Sequence, residues 1–340
     1  MTIPFVQSSS SRYRQGMLTM ATWKPRMWLT VLQLVWWAAP TRGTEGAPPA
    51  PPALPEGGQG IAARYPGDRG IEADPAVLFH DDFESDDLRK TWDNSFQKAD
   101  LRITRDPQNV HGGTRALEFT IPKQQAELSD GVVKNLPTGQ DVVFLRYYSK
   151  FEKGFDQVGS SHNGGILNAL APGLAYSTPG VRADGHNKFI VSFENWRGDA
   201  ATPSPGWLNV YCYHPEQRSE YGDHFFPSGK VMPNPARPGG FGAHFVARPD
   251  IIPELGRWYC FELMVKANEA GQRDGRIACW LDGKLIADFP DLRLRDVDTL
   301  KINSASLCLH IKSNTARENK KWYDDVVVAT AYIGPVAGNK

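Results

Sequence analysis

Short stretches of alternating residues recur along this chain and limit what it can fold into. In 207–213, Leu208, Val210 and Cys212 share one face of an extended strand, and the residues between them point to the other face. No long segment carries an apolar stripe with the 3.6-residue period of a helix. Strand-like runs cover 77–83, 115–121, 142–151, 188–195, 207–213, 257–266, 276–281, 284–289, 306–311 and 323–332. We therefore expect an all-β domain, built as a two-sheet antiparallel sandwich or jelly roll.

Turn signals support this reading. Asp282-Gly283 separates the runs 276–281 and 284–289, and Asp-Gly supplies the positive φ angles of a two-residue hairpin turn. Two long segments, 171–185 and 214–250, are rich in Pro, Gly and aromatic residues and lack a strand pattern. Loops of this length in a compact domain are usually functional, so we expect them to cover part of a site.

The N-terminal region has the composition of an export signal followed by a spacer. Basic residues precede an apolar run, 27–39, that is short for a membrane span, and small or polar residues follow it. We predict a signal peptide in 1–43, a Pro/Gly-rich linker in 44–73 and one jelly-roll domain in 74–340. The chain is then secreted, periplasmic or on the cell surface, without membrane contact after cleavage. An uncleaved N-terminal anchor is the alternative.

Charge balance limits the partners. The chain has 38 basic and 38 acidic side chains, so nothing favours nucleic acid as a ligand. Four cysteines, at 212, 260, 279 and 308, lie far apart without a CxxC pair, which leaves disulfides and buried thiols both open. No motif predicts a cofactor or a metal site. The segment 211–226, with two histidines and three acids, leaves calcium as an alternative. We expect a monomer.

Four runs carry polar and aromatic side chains opposite their apolar faces. Aromatic rings stack on the apolar faces of sugar rings, whereas hydroxyl and carboxylate groups need directional or charged partners. This pattern predicts an extended polysaccharide along a concave sheet face. The residues expected to bind it are Arg146, Tyr148, Lys188, Ser192, Glu194, Trp196, Asn209 and His310, together with Tyr211 and Tyr213.

Several motifs in 141–335 carry a family resemblance. They are Arg146-Tyr-Tyr-Ser-Lys-Phe, the glycine loop His162-Asn-Gly-Gly, the strand Tyr211-x-Tyr213, and the stretches 258–266, 275–283 and 322–330. With these motifs the chain resembles concanavalin A-like jelly-roll domains of the lectin and glucanase type. Among them it is similar to the family-14 polysaccharide lyases, the alginate and glucuronan lyase group. The resemblance implies a secreted lyase that cleaves a uronate-containing polysaccharide by β-elimination.

The resemblance also implies site residues. The paired tyrosines of that group act around the scissile bond, which assigns proton transfer to Tyr211 and Tyr213 and matches Ser192 to the family serine. Two positions depart from the pattern: the glycine loop contains no lysine, and Glu194 stands where the group has arginine. Both departures remove positive charge from the site.

β-Elimination needs a base, an acid and a group that neutralises the uronate carboxylate. We expect His162 to act as base beside Tyr211 and Tyr213. The expected neutralisers are Asn163, Lys188 and Arg197.

Two other functions compete with a lyase. Glu194 permits glycoside hydrolysis, but Ser192 occupies the position of the second carboxylate that this chemistry requires. A non-catalytic carbohydrate-binding or lectin-like domain is the main alternative, because the same fold hosts lectins and the missing lysine and arginine fit a loss of catalysis.

Overall fold

The computed structural model describes residues 52–97, 100–159, 161–174, 178–312 and 316–338. The expected signal peptide and residues 44–51 of the expected linker lie outside the described residues. Within them, no helix is long and apolar enough to cross a membrane. The helices present are five 3-10 turns: Ile61–Arg64, Pro66–Asp68, Ile71–Ala73, Leu88–Lys90 and Pro107–Asn109.

Strands are the main regular elements of the described chain. In order they are β1 Val77–Asp81, β2 Asn94–Gln97, β3 Asp100–Thr104, β4 Ala116–Ile121, β5 Leu128–Gln140, β6 Val142–Phe151, β7 Ser161–His162, β8 Gly165–Leu170, β9 Lys188–Trp196, β10 Trp207–Tyr213, β11 Asp223–Phe225, β12 Val231–Met232, β13 Tyr259–Lys266, β14 Gly275–Leu281, β15 Lys284–Leu292, β16 Ile302–Ile311 and β17 Asn319–Ala329.

The strands form two antiparallel sheets. The first sheet has the order β15-β14-β13-β6-β17-β4-β3, with β1 also paired to β17. The second sheet has the order β12-β11-β10-β9-β8-β16-β5-β2, with β7 also paired to β16. The predicted all-β two-sheet architecture is confirmed.

The core lies between the two sheets. Leu208, Val210 and Cys212 are at most 1% exposed and belong to the main apolar cluster, so their predicted inward direction is confirmed. Phe193 of the second sheet meets Phe261 of the first in an edge-to-face contact, with ring centroids 5.4 Å apart. Such aromatic pairs add about 1 kcal/mol each to the free energy gained by burial.

The predicted hairpin is also present. Asp282 and Gly283 have φ angles of 51° and 77°, which a two-residue turn between β14 and β15 requires. Of the two long segments, 171–185 carries no strand in its described residues. The segment 214–250 contributes β11 and β12 to the edge of the second sheet.

Residues 52–73 belong to the fold, so the expected domain start at 74 is too late. Ile61 and Ile71 are buried in an apolar cluster on the outer face of the first sheet. The Trp280 indole donates to the Pro55 carbonyl at 2.8 Å, and the Asp68 carboxylate pairs with Arg146 at 2.5 Å. Proline-rich composition predicted an extended spacer here, yet the segment covers a sheet face that water would otherwise reach.

The four cysteines are all buried and free. The structure thus contains the thiols rather than the disulfides that the sequence left open.

The buried Asp68–Arg146 pair provides a test of the corrected boundary. Asp68→Asn keeps the side-chain shape, and Asn tolerates the positive φ of this position (58°). The substitution leaves Arg146, 0% exposed, without its counter-ion. We expect the free energy of unfolding to fall by about 3 kcal/mol in a denaturant titration. Asp86→Asn is the control: its carboxylate pairs with Arg105 in water, so a loss below about 1 kcal/mol is expected. Equal losses would show that the buried pair stabilises the domain no more than a pair at the surface does.

Candidate active site on the outer face of the second sheet

The outward-facing side chains near the middle of the second sheet form one polar surface. We call it the histidine face and define it by Glu194, Tyr211 and three histidines, His162, His224 and His310. Strands β7, β9, β10, β11 and β16 supply these five residues, one each. Cross-strand pairing places Tyr211 directly opposite His224, and His310 directly opposite His162. Alternation along each strand therefore brings them to one side of the sheet.

His162 is held by a carboxylate beneath it. Its Nδ1 lies 2.9 Å from Glu194 Oε2, and Ser192 Oγ donates to the same oxygen at 2.8 Å. Glu194 is 1% exposed, whereas the His162 side chain keeps 30% of its surface accessible. Burial lowers the pKa of His162, but attraction and hydrogen bonding to Glu194 outweigh it, so the pKa is raised. The imidazolium form is thus favoured, with Nε2 on the side of the ring away from Glu194.

A tight glycine turn positions His162. A Cβ atom on Gly164 would overlap the Phe193 carbonyl oxygen, and one on Gly165 would overlap the Tyr147 ring. Because glycine lacks this atom, the turn can lie directly against β9 and the core. The turn is also bonded from several sides: Gly165 N–H donates to Tyr147 Oη at 2.9 Å, and Cys308 N–H donates to the Gly164 carbonyl at 3.1 Å.

Tyr211 lies between two imidazole rings. Its ring centroid is 4.8 Å from that of His162 and 4.8 Å from that of His224. Its hydroxyl accepts the Gly222 N–H at 3.0 Å. Burial and the neighbouring Tyr213 raise the pKa of Tyr211 well above its ordinary value. The phenol therefore stays protonated and suits proton donation better than proton abstraction.

His224 is a residue of this site that was not expected from the sequence. Its Nδ1 lies 2.9 Å from Asn209 Oδ1, and Asn209 Nδ2 faces the carbonyls of Glu194 and Trp207 at 3.3 and 3.4 Å. Since a carbonyl only accepts, the amide orientation is determined, and His224 Nδ1 must be the donor. The lone pair then lies on Nε2. Burial lowers the pKa of His224 to about 4, so this ring is neutral at neutral pH.

A weak signal for His224 exists in the sequence. In Asp223-His224-Phe225 the histidine alternates with Phe225, which is 0% exposed in the core. Three residues inside a long Pro- and Gly-rich segment are too few to identify a strand by alternation alone.

Trp196 and His310 flank this centre. Trp196 is partly exposed and lies 6.0 Å from the His224 ring, centroid to centroid. His310 stacks on His162 with centroids 5.4 Å apart, and its Nδ1 lies 2.5 Å from Ser129 Oγ. Both side chains extend the accessible surface to either side of Tyr211.

Lys188 and Tyr213 do not emerge beside these residues, contrary to expectation. Lys188 is 0% exposed, and its Nζ donates to the Thr178 carbonyl at 2.7 Å while lying 4.3 Å from the Tyr213 ring centroid. Burial lowers the pKa of Lys188 to about 8. Tyr213, 4% exposed, packs with Ala183, and its hydroxyl accepts the Gly180 N–H at 3.4 Å. The described part of the loop 171–185 thus covers this end of the face.

Two other residues that were expected to neutralise the uronate carboxylate make their hydrogen bonds within the protein instead. The Arg197 guanidinium contacts Asp156 at 2.5 Å and the carbonyls of Thr202 and Ala200 at 2.6 and 3.2 Å. Asn163 bonds through its amide to the backbone of Asn195, at 2.9 and 3.2 Å. Arg197 therefore supports a loop, and Asn163 holds the glycine turn against β9.

Arg146 and Tyr148 lie on the wrong sheet for the expected site. Both face outward from β6 in the first sheet, under residues 52–73 and the C-terminal segment. Arg146 pairs with Asp68, and the Tyr148 hydroxyl accepts the Val336 N–H at 3.0 Å. Alternation predicted correctly that they point away from the core, but it does not tell which sheet a strand joins.

Among the described residues, no group of three or more His, Cys, Asp or Glu side chains that could hold a metal ion occurs.

The fold has known counterparts. A mutant of alginate lyase Aly36B in complex with an alginate trisaccharide superposes with a TM-score of 0.52 at 15% identity, covering 75% of this chain and 98% of that one. Alginate lyase vAL-1 from Chlorella virus superposes with a TM-score of 0.51 at 12% identity, covering 74% of this chain and 100% of that one. The marine PL-14 alginate lyase from Aplysia kurodai superposes with a TM-score of 0.52 at 12% identity, covering 75% of this chain and 98% of that one. The chain therefore has the jelly-roll fold of these polysaccharide lyases.

Comparison by sequence identifies no relative of this chain. No family model matches the chain, and no curated protein matches it.

The His162–Glu194 pair can be tested by titration. Glu194→Gln removes the main charge that raises the pKa of His162, and only the weaker attraction of Glu127 then opposes burial. We expect the His162 pKa to fall below its wild-type value when the imidazole C–H signals are followed by NMR against pH. Glu216→Gln, which affects a loop carboxylate paired with Arg273, is expected to leave it unchanged. An unaltered His162 pKa in Glu194→Gln would contradict the pairing.

Proposed function

We propose that this protein is a secreted polysaccharide lyase that binds an extended uronate-containing polysaccharide along the histidine face and cleaves it by β-elimination. One observation carries the proposal: Tyr211 lies 4.8 Å, ring to ring, from two histidines whose pKa values are shifted in opposite directions. Oppositely shifted neighbours are characteristic of acid–base sites.

The reaction requires three roles. A base removes the proton α to the uronate carboxylate, an acid protonates the departing 4-linked oxygen, and a positive group stabilises the carboxylate as negative charge develops. Each role can be assigned to a residue of the histidine face.

His224 is the best base. It is neutral at neutral pH, and its hydrogen bond to Asn209 leaves the Nε2 lone pair to take a proton. This assignment replaces His162, which the sequence favoured, because Glu194 stabilises the protonated form of His162.

Tyr211 is the acid and His162 the neutralising group. Tyr211 keeps its proton because its pKa is raised, so it can donate to the leaving oxygen. His162, as imidazolium, can donate from Nε2 to the uronate carboxylate while Nδ1 stays on Glu194. This places a positive group where the sequence lacks the loop lysine of the family-14 lyases.

The substrate class rests on the fold and the surface together. The proteins with this fold described above are alginate lyases, and the partly exposed Trp196 offers a ring for sugar stacking beside the proposed base. The predicted signal peptide agrees with a substrate outside the cell.

A non-catalytic carbohydrate-binding domain is the second candidate. Tyr211 is only 8% exposed, and its hydroxyl already accepts a backbone N–H, which limits its access to a bound sugar. A binder needs the surface of the histidine face but not the proton transfers.

Purified full-length chain, incubated with alginate, glucuronan, pectin and glycosaminoglycans, tests the proposal. A lyase produces unsaturated uronate ends, which are followed by their ultraviolet absorbance. We expect Tyr211→Phe and His224→Asn each to lower kcat by about 10²–10⁴-fold, the usual contribution of a general acid or base.

Matched controls use residues of the same types away from the centre. Tyr221→Phe changes a tyrosine that is 57% exposed, and His244→Asn a surface histidine paired with Asp291; both are expected to keep full activity. Retarded migration in polysaccharide gels without unsaturated product would instead establish the binding domain. Full activity in Tyr211→Phe and His224→Asn would refute the assigned roles.

A further inference from the structure

A lysine lies inside the sandwich directly beneath the glycine turn. Lys321 is on β17 of the first sheet, faces inward and is 1% exposed. Its Nζ lies 3.9 Å from the Phe151 ring centroid, 5.0 Å from that of Tyr323 and 5.6 Å from that of Phe261. An ammonium group in such surroundings is unfavourable unless it is bonded, although aromatic faces offset part of the desolvation.

Its hydrogen bond goes to the other sheet. Lys321 Nζ donates to the carbonyl of Asn163, the residue after His162. The neighbouring groups of the turn are bonded by uncharged donors and acceptors, namely Tyr147 Oη, the Cys308 N–H and the Asn195 backbone. The lysine therefore adds a charge-assisted bond to a turn already pressed against β9.

We propose that Lys321 is a positioning residue for the lyase reaction: from inside the core, its ammonium group clamps the Asn163 carbonyl and thereby holds His162 against Glu194. The inference rests on the proposed function, since it gives His162 its place in the site. Lys321 itself does not contact substrate.

Charge also reaches the site through this contact. The chain lacks a lysine on the glycine loop, but Lys321 places a cation under the same loop, close enough to be stabilised by Glu194. The positive charge is thus supplied from below the sheet instead of from the substrate side.

The clamp depends on pH. Burial lowers the pKa of Lys321 to about 7, against opposing contributions from Cys308 and Glu194. As pH rises through 7, the ammonium loses its proton and the bond to Asn163 weakens, because charge-assisted hydrogen bonds are roughly twice as strong as neutral ones. Because the folded chain holds the pKa of Lys321 below its ordinary value, global stability rises as pH increases above 7. The turn itself, relative to the rest of the domain, is expected to be held most firmly below pH 7.

Other titratable groups near Lys321 are few in kind. They are Tyr323 on β17 itself, Tyr147 on β6, Glu194 on β9, Cys308 on β16 and His162 beside the glycine turn. Burial raises the pKa values of Cys308, Tyr147 and Tyr323 far above neutrality. The pKa of His162 is raised by Glu194, and the imidazole signals report its titration separately from that of Lys321.

Lys321→Met tests the clamp, because methionine fills a similar volume without the charge or the donor. Hydrogen exchange of the full chain is followed by mass spectrometry in peptides covering 161–170, with 275–281 in β14 as reference. We expect about tenfold faster exchange in 161–170 relative to the reference, as for the loss of one charged hydrogen bond. We also expect kcat to fall with little change in KM, and the alkaline side of the pH–kcat profile near pH 7 to shift.

Lys320→Met is the matched control. Lys320 is the adjacent residue of β17, points to the opposite face and pairs with Glu118 and Glu318. Exchange, kinetics and pH profile should match those of the wild type. If Lys321→Met does not fold, the wild-type chain supplies a second measurement. Across pH 6–8, the protection factor of 161–170 should drop relative to that of 275–281, because a change in global stability affects both segments and loss of the charge-assisted bond affects only the first.

The outcomes separate the two proposals. Unchanged exchange and an unchanged pH profile in an active Lys321→Met chain would overturn the clamp and leave the lyase intact. Faster exchange in 161–170 of Lys321→Met, together with a wild-type chain that shows no lyase activity on any of the polysaccharides, would support the clamp and refute the proposed reaction.

Discussion

The contact between the glycine turn and the backbone of β9 is the interaction on which the site depends. Gly164 and Gly165 lie so close to Phe193 and Tyr147 that neither could carry a side chain without moving its neighbours. This closeness sets His162 above Glu194 and beside Tyr211. The raised pKa of His162 follows from it, because the imidazole and the carboxylate must remain within hydrogen-bonding distance for that pKa to rise.

Burial acts in the same sense on two histidines of this small surface, yet the net shifts of their pKa values are opposite. His162 and His224 are both largely removed from water, and burial alone lowers the pKa of each. Only His162 has a direct bond to a carboxylate, whereas His224 bonds to the uncharged Asn209 amide. A difference of one bonded partner thus moves the two pKa values apart, upward for His162 and downward for His224.

Period-2 alternation made much of the fold predictable. It identified the inward faces of β9 and β10 and the span of β6, and Asp282-Gly283 located the hairpin turn. β5 was not predicted, because Leu128–Gln140 contains Gly131 and Pro137 and has little apolar alternation. Alternation does not indicate which sheet a strand joins. For that reason Arg146 and Tyr148, which lie on the first sheet, were expected among the site residues of the second sheet. The coverage of Lys188 and Tyr213 by a loop depends on tertiary contacts that no local pattern encodes.

The N-terminal residues 52–73 pack on the outer face of the first sheet, and the histidine face lies on the outer face of the second. These two surfaces are on opposite sides of the sandwich. The described chain thus begins, at Pro52, on the side of the first sheet. A support attached at that residue would hold the domain from the side opposite the histidine face and leave this surface accessible to large molecules.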